Sequence, residues 1–249
     1  MAQNAPEWTS EHARGTAASI VRRLREAGHV AYFAGGCVRD ELLGLDPVDY
    51  DVATDARPDA IQAMFRKTAA VGASFGVVLV KEAGGVVEVA TFRSDGPYSD
   101  SRRPDRVEFA DAAHDAQRRD FTINALFLDP LAAEDSASIH GHVIDHVGGM
   151  ADLRARVIRA VGDPERRLAE DHLRALRAVR FAARFGFAIE QGTASAIREH
   201  ASDLEGVSRE RVGDELRRMF LAETRAEAAG VPRRAGGGVL SRGPGGAGV

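Results

Sequence analysis

Cysteine is nearly missing from this 249-residue chain. The single residue, Cys37, cannot form an intramolecular disulfide, which fits a reducing cytoplasm, and it reads as a small buried hydrophobe. Long apolar runs are missing too. None approaches the ~20 residues needed to span a bilayer, so no membrane partner is expected. Residues 1–7 do not follow the basic-then-apolar plan of a signal peptide. Positive charge is not in excess: the net charge is −4, which excludes a globally basic nucleic-acid binder and leaves any polynucleotide contact to a local arginine patch. There is no fixed-period repeat. The eight histidines show no His-x-x-x-His zinc spacing, and His140, His142 and His146 read as polar loop residues. The Gly-x-Ser-x-Gly and P-loop patterns are absent. Gly35-Gly36 lacks the Gly-x-Gly-x-x-Gly spacing of a dinucleotide fold.

What is present is a large apolar fraction, 44%, enough for a real core. Apolar spacing predicts a helix over residues 10–27, stopped by Gly28, and a short strand over 30–34. Gly35-Gly36 then turns the chain into a helix over 37–43. A second strand is expected over 48–54, followed by a helix to residue 65 with Pro58 in its first turn. Residues 75–81 and 86–92 read as strands of a hairpin joined at Ala83-Gly84-Gly85. Over 94–106, Gly96, Pro97, Pro104 and many charges predict a mobile loop. A helix is expected over 112–119, with ordered chain continuing through 121–128, and residues 157–161 are expected to close the sheet edge. Beyond Asp163-Pro164 only helices are predicted, over 165–184, 193–200 and 209–221. The chain thus divides into a mixed α/β domain (1–160), a helical unit (161–225) and a Gly/Pro/Arg-rich tail (226–249) predicted to be disordered. The abrupt onset of that tail fits a chain end altered by truncation or a frame change.

Three clusters carry chemistry. In the first, Asp49 and Asp51 stand at i and i+2, so on a strand they point to one side, just after Gly35, Gly36 and Arg39. Paired carboxylates suit Mg²⁺ together with substrate phosphates, and glycines before a helix N-terminus let phosphate approach the backbone. Glu88 is either a third carboxylate of this group or a solvated strand residue. The second cluster is Arg118-Arg119-Asp120 with Asn124. Paired guanidiniums bind phosphate oxygens, Asp120 can accept from a ribose hydroxyl, and Asn124 can anchor the sugar or the loop. The third runs from Glu170 to Arg180. Residues 171, 174 and 177 share a helix face, which is either a solvated stripe or a base-reading edge. In the latter case Asp171 accepts from an exocyclic amine while Arg174 donates to a ring nitrogen or carbonyl, a pairing that suits cytosine and adenine and repels uracil and guanine. Arg177 and Arg180 remain for phosphates or for fixing the helix.

With these clusters in order, the chain resembles the class II tRNA nucleotidyltransferases, the bacterial CCA-adding and poly(A) polymerase family. The resemblance rests on Gly35-Gly36-x-Val38-Arg39-Asp40…Asp49-x-Asp51, on Arg118-Arg119-Asp120-Phe121-Thr122-x-Asn124-Ala125, and on Asp145-His146-Val147-Gly148-Gly149-x-x-Asp152. Glu170-Asp171-x-x-Arg174-x-x-Arg177 and Glu210-Arg211-x-x-x-Glu215-Leu216 complete it. It covers about residues 18–222. It implies an α+β polymerase-beta-like nucleotidyltransferase head with a small mixed sheet, followed by an all-helical neck. It implies Mg²⁺-dependent transfer of CMP and AMP from CTP and ATP to a tRNA 3′ end. Gly36 and Arg39 would then contact the triphosphate, Asp49 and Asp51 would hold the metal, Arg118 or Arg119 phosphate, and Asp120 the ribose. Asp171 and Arg174 would read the base, with Arg177 and Arg180 completing the pocket. Family members continue into helical body and tail domains that grip tRNA; here the Gly-rich end follows, so addition is open to impairment. Competing readings are a poly(A) polymerase and a non-catalytic nucleotide- or RNA-binding remnant.

Overall fold

The computed structural model describes residues 9–47, 49–70, 75–82, 85–98, 104–133 and 138–228, with side chains to residue 220. Helix α1 (Ser10–Glu26) starts where the Thr9 hydroxyl accepts from the His12 N–H, and it lays Ile20, Val21 and Leu24 against the sheet with no solvent contact. Each such side chain contributes about 1.5–3 kcal/mol by leaving water. Strand β1 (Ala31–Ala34), helix α2 (Gly36–Leu42), strand β2 (Asp51–Thr54) and helix α3 (Pro58–Met64) follow. Then come strands β3 (Thr68–Ala70), β4 (Val77–Glu82) and β5 (Gly85–Thr91). Strand β2 is shorter than expected: it begins at Asp51, Asp49 lies in the approach, and Val48 is outside the described residues. The β4–β5 hairpin forms as expected, although its turn residues Ala83 and Gly84 are also outside the described residues.

Strands β6 (Arg93–Asp95) and β7 (Val107–Phe109) pair as a separate antiparallel ribbon. The expected mobile loop, 94–106, is therefore partly strand: Tyr98 and Pro104 also bridge, and only residues 99–103 fall outside the description. Helix α4 (Ala112–Gln117), a 3₁₀ turn at Thr122–Asn124, and strands β8 (Leu126–Leu128) and β9 (Val143–Asp145) complete the head sheet. Its order is β3-β4-β5-β2-β1-β8-β9. Neighbours are antiparallel except β2 and β5, which run parallel. The mixed α+β head expected from sequence is what the chain adopts.

Helix α5 (Gly149–Ala155) leads to strand β10 (Val157–Ile158). Contrary to expectation, residues 157–161 do not close the main sheet. Instead β10 pairs in parallel with β11 (Ala188–Ile189), a two-residue strand inside the helical unit. Two residues carry no alternation that could announce a partner. The expected helix over 165–184 is two helices, α6 (Pro164–Glu170) and α7 (Leu173–Phe185), separated at Asp171, whose backbone is extended (φ −154°, ψ 103°). Asp171 therefore does not ride on a helix face with residues 174 and 177, contrary to expectation; its carboxylate accepts from the Leu173 N–H at the start of α7. Gly186, at φ 64°, ends α7 as expected. Helices α8 (Gln191–Glu199) and α9 (Arg209–Ala228) follow. Because α9 reaches Ala228, residues 226–228 of the expected tail are helical, and the remainder, 229–249, lies outside the described residues.

Candidate active site

The register of the sheet builds the site. Ala34, the last residue of β1, pairs with Asp51, and Asp51 pairs with Glu88 on β5. The chain leaves β1 directly into the Gly35–Gly36 turn, so the turn and the carboxylates stand at one level of the sheet. Gly35 has φ 76° and donates its N–H to the Leu126 carbonyl. A Cβ there would stand 2.9 Å from Nη1 of Arg119. The backbone conformation calls for glycine here, and a side chain would also displace the Arg119 guanidinium.

Asp49, Asp51 and Glu88 face one cleft of about 1100 Å³. The Asp51 side chain is open to the cleft yet walled by the sheet. Burial, then the Glu88 charge, push its carboxyl up to about 6, against the pull of Arg119 and with a further push from Asp49. Three acids this close favour losing a charge or gaining a cation. Oxygen-only donors are what a hard divalent ion selects, so the residues present fit such an ion. Glu88, left open by the sequence, belongs to this group by register.

All thirteen residues singled out from the sequence line this cleft: Gly35, Gly36, Arg39, Asp49, Asp51, Arg118, Arg119, Asp120, Asn124, Asp171, Arg174, Arg177 and Arg180. What the sequence did not show is how they hold one another. Arg118 and Arg119 both grip Asp115, a buried acid of α4, at 2.7 and 2.9 Å. Burial raises the Asp115 carboxyl, but the charges of Arg119 and Arg118 outweigh it and hold it below the usual carboxylate range. The i+3 and i+4 spacing from Asp115 was the available signal. Arg39 is buried. It bonds the Asp40 carboxylate and the Asn124 side-chain oxygen, and its guanidinium lies 5.1 and 4.7 Å from the rings of Phe181 and Phe185 on α7. It serves as a strut between head and helix as well as a cleft cation.

Asp120 ties the head to α7. Its Oδ2 accepts from Nε and Nη2 of Arg177 at 2.8 and 2.7 Å, and its Oδ1 accepts from the Phe121 N–H and the Asn124 amide. Burial alone would raise the Asp120 carboxyl. Arg177, by charge and hydrogen bonding, and Asn124 reverse that and hold it down to about 2. Arg180 is paired with buried Glu215 of α9, and Arg184 with Asp40. Arg174 donates through Nη1 to Glu170 and to the Arg167 carbonyl, each at 2.7 Å. Asp171 accepts from Arg211 at 2.8 Å. Asp171 and Arg174 thus both line the cleft, each already held by other neck residues. Cys37 is buried and its thiol is pushed up to about 12, by burial first and then by Asp51, which suits a packing role.

A model of the poly A polymerase head domain matches residues 31–159, more than half the chain. The chain belongs to this family. Residues 186–228 match a second model, described as "Probable RNA and SrmB- binding site of polymerase A". The chain is 44% identical over 205 residues to the CCA-adding enzyme of Limosilactobacillus fermentum, covering 82% of this chain and 49% of that protein. It is 43% identical over 213 residues to that of Geobacillus thermodenitrificans, covering 85% and 50%. Among solved structures it is similar to the Bacillus stearothermophilus CCA-adding enzyme in complex with CTP. There the TM-score is 0.73 at 40% identity, over 83% of this chain and 48% of that one. It is also similar to a tRNA nucleotidyltransferase complexed with a primer tRNA and an incoming ATP analog, with a TM-score of 0.65 at 28% identity, over 84% and 60%. The chain spans about half the length of the curated relatives it matches. Nucleotidyltransferases of this family generally use a divalent metal. Among the described residues, no helix is long and apolar enough to cross a membrane.

Proposed function

We propose that the chain is the head (1–160) and neck (161–225) of a cytoplasmic, Mg²⁺-dependent RNA nucleotidyltransferase that adds CMP and AMP from CTP and ATP to the 3′ end of tRNA. One observation carries this reading. Asp51 stands in register with Glu88, and both line one cleft with Arg174, Arg177 and Arg180 of the arginine-bearing helix α7. The relatives named for CCA addition, and the neighbours bound to CTP and to primer tRNA with an ATP analog, support it.

Asp49 and Asp51, with Glu88, would hold Mg²⁺. When bound, the ion supplies Lewis-acid stabilisation of charge on the attacking and leaving oxygens. The Gly35–Gly36 turn admits the triphosphate against backbone. Arg119, close above Gly35, and Arg118 neutralise it, with Asp115 fixing both guanidiniums. Arg39, Arg177 and Arg180 line the same wall. Asp120 keeps head and neck together; its four acceptor sites are taken by Arg177, Phe121 and Asn124, so a ribose hydroxyl would reach it by displacing one of these donors. Asp171 accepts from the exocyclic amine of cytosine or adenine, and Arg174 donates to the adjacent ring position. The 3′ hydroxyl of the RNA gives up its proton to water in the cleft, its oxygen bonds to the α-phosphorus, the bond to the bridging oxygen breaks, and pyrophosphate leaves. The protein's contribution is placement and charge rather than covalent chemistry.

The test is to count products on a tRNA lacking its CCA end, with CTP, ATP and Mg²⁺. Addition of C, C and A is expected. A long A tail would make the chain a poly(A) polymerase, and nucleotide binding without any addition would make it a binding remnant.

A further inference from the structure

Away from the cleft, the neck gathers side chains that are far apart in sequence. His172 precedes α7, His200 caps the end of α8, and Asp203 sits in the 3₁₀ turn Ser202–Gly206. One ligand atom from each lies within 4.8 Å of the other two. His200 Nδ1 is 2.7 Å from Asp203 Oδ2, and His172 Nδ1 is 3.9 Å from the same oxygen. The two imidazoles are stacked, with centroids 5.8 Å apart and planes 28° apart. On its other side, His200 Nε2 is 3.2 Å from a carboxylate oxygen of Glu165 on α6.

The pair His200–Asp203 alone would be an ordinary local contact at i and i+3. It does not account for His172. The Nδ1 of His172 is shut off from solvent and has no hydrogen-bond partner. A neutral imidazole nitrogen offers either an N–H or a lone pair, and burying either unpaired costs about 1–3 kcal/mol. At 3.9 Å from Asp203 it is too far for a hydrogen bond. It is close to the spacing of two ligands sharing an ion: bonds of about 2.0–2.1 Å in a tetrahedron set ligand atoms roughly 3.3 Å apart. A cation between the three groups would satisfy the orphaned nitrogen; His172 would close by about half an ångström, while the 2.7 Å His200–Asp203 hydrogen bond would give up its proton and open by a similar amount.

We propose that His172, His200 and Asp203 form a Zn²⁺ site in the neck, with Glu165 as the outer carboxylate that orients His200. Two imidazoles and one carboxylate select zinc-class ions over Mg²⁺, which takes all-oxygen sets. A carboxylate on the far nitrogen of a ligating histidine fixes its tautomer and raises its basicity. Asp203 is partly exposed, which leaves an entry path and a fourth position for water. The site would join α6, α7, α8 and the 3₁₀ turn. It also adjoins Asp171, so an ion there would stiffen the break between α6 and α7 that presents Asp171 and Arg174 to the cleft.

The site is tested by titrating Co²⁺ into the chain held in excess Mg²⁺, which occupies the carboxylate cluster. One equivalent of Co²⁺ should give a visible d–d absorption band that Zn²⁺ displaces. The band should vanish in His172→Gln and in His200→Gln, with far-UV circular dichroism confirming that each variant is folded. No band, or a band that survives in both variants, overturns the assignment. If either variant fails to fold, X-ray absorption at the zinc edge of the wild-type chain decides. Two imidazole nitrogens on the ion support the site, and an all-oxygen shell refutes it.

Discussion

Replacing Asp120 by Asn removes a charge from the contact between the Thr122–Asn124 turn region and helix α7 while keeping its shape. In the folded chain Asp120 accepts two hydrogen bonds from Arg177 and is held down to about 2 from an ordinary value of 3.8. At 1.36 kcal/mol per unit, that difference corresponds to about 2 kcal/mol of stability at neutral pH. Removing one partner of a fully buried pair costs ~3–5 kcal/mol, but the Arg177 side chain is 30% exposed. Arg177 retains Glu215 at 3.6 Å, so the lower figure is the expected one. For a chain of this size, about 2 kcal/mol lowers Tm by roughly 4–8 °C. The sign with pH follows from a depressed carboxyl. The stabilisation is complete above the unfolded-state value and is lost as pH falls towards the folded-state value. About half of it should be gone by pH 3. Urea unfolding of Asp120→Asn and wild type at pH 7, 5 and 3 measures this. The gap should be about 2 kcal/mol at pH 7 and 5 and about 1 kcal/mol at pH 3. A Tm change under about 1 °C, or a gap independent of pH, would refute the reasoning.

Asp49→Ala should lower nucleotide addition in Mg²⁺ by about a thousandfold, since several kcal/mol of transition-state stabilisation rest on the ion; single-turnover incorporation of CMP reads it, and retained activity rejects the metal role. Asp171→Ala should relax rejection of UTP and GTP, measured as the ratio of incorporation rates against CTP and ATP; unchanged selectivity would remove Asp171 from base reading. Gly35→Ala forces a side chain to φ 76°, ψ −123° and displaces the Arg119 guanidinium, so it should cost on the order of 1–3 kcal/mol in unfolding free energy and weaken CTP binding. Wild-type stability and affinity in that variant would contradict the close approach described at the turn.

Most long elements were legible in the sequence because their cores repeat at helical or strand spacing. Helix α1, with Ile20, Val21 and Leu24 on one face, is the plainest case. The edge strands β3 and β9 escaped notice: each has three residues, none fully buried, so neither shows an alternation. The break at Asp171 left one trace, the five-residue step from Leu168 to Leu173, which a continuous apolar stripe does not make. That the site residues gather around one cleft was legible, because carboxylates and arginines recur in short local clusters. Its internal bonding was not. Arg39 with Asn124, Arg177 with Asp120 and Arg180 with Glu215 each join residues 35 or more apart in the chain, and only tertiary folding pairs them. Asp115 is the exception: its two arginines are local, and helical spacing alone would have named it.

The account depends on carboxylates of the sheet and the arginine helix of the neck acting on one nucleotide. A crystal structure of the chain with CTP and Mg²⁺ tests that directly. The triphosphate should lie between Gly36 and the Asp49–Asp51–Glu88 group, with the cytosine amine within hydrogen-bond reach of Asp171 and its ring beside Arg174. CTP bound outside this cleft, or with its base turned away from α7, would contradict it.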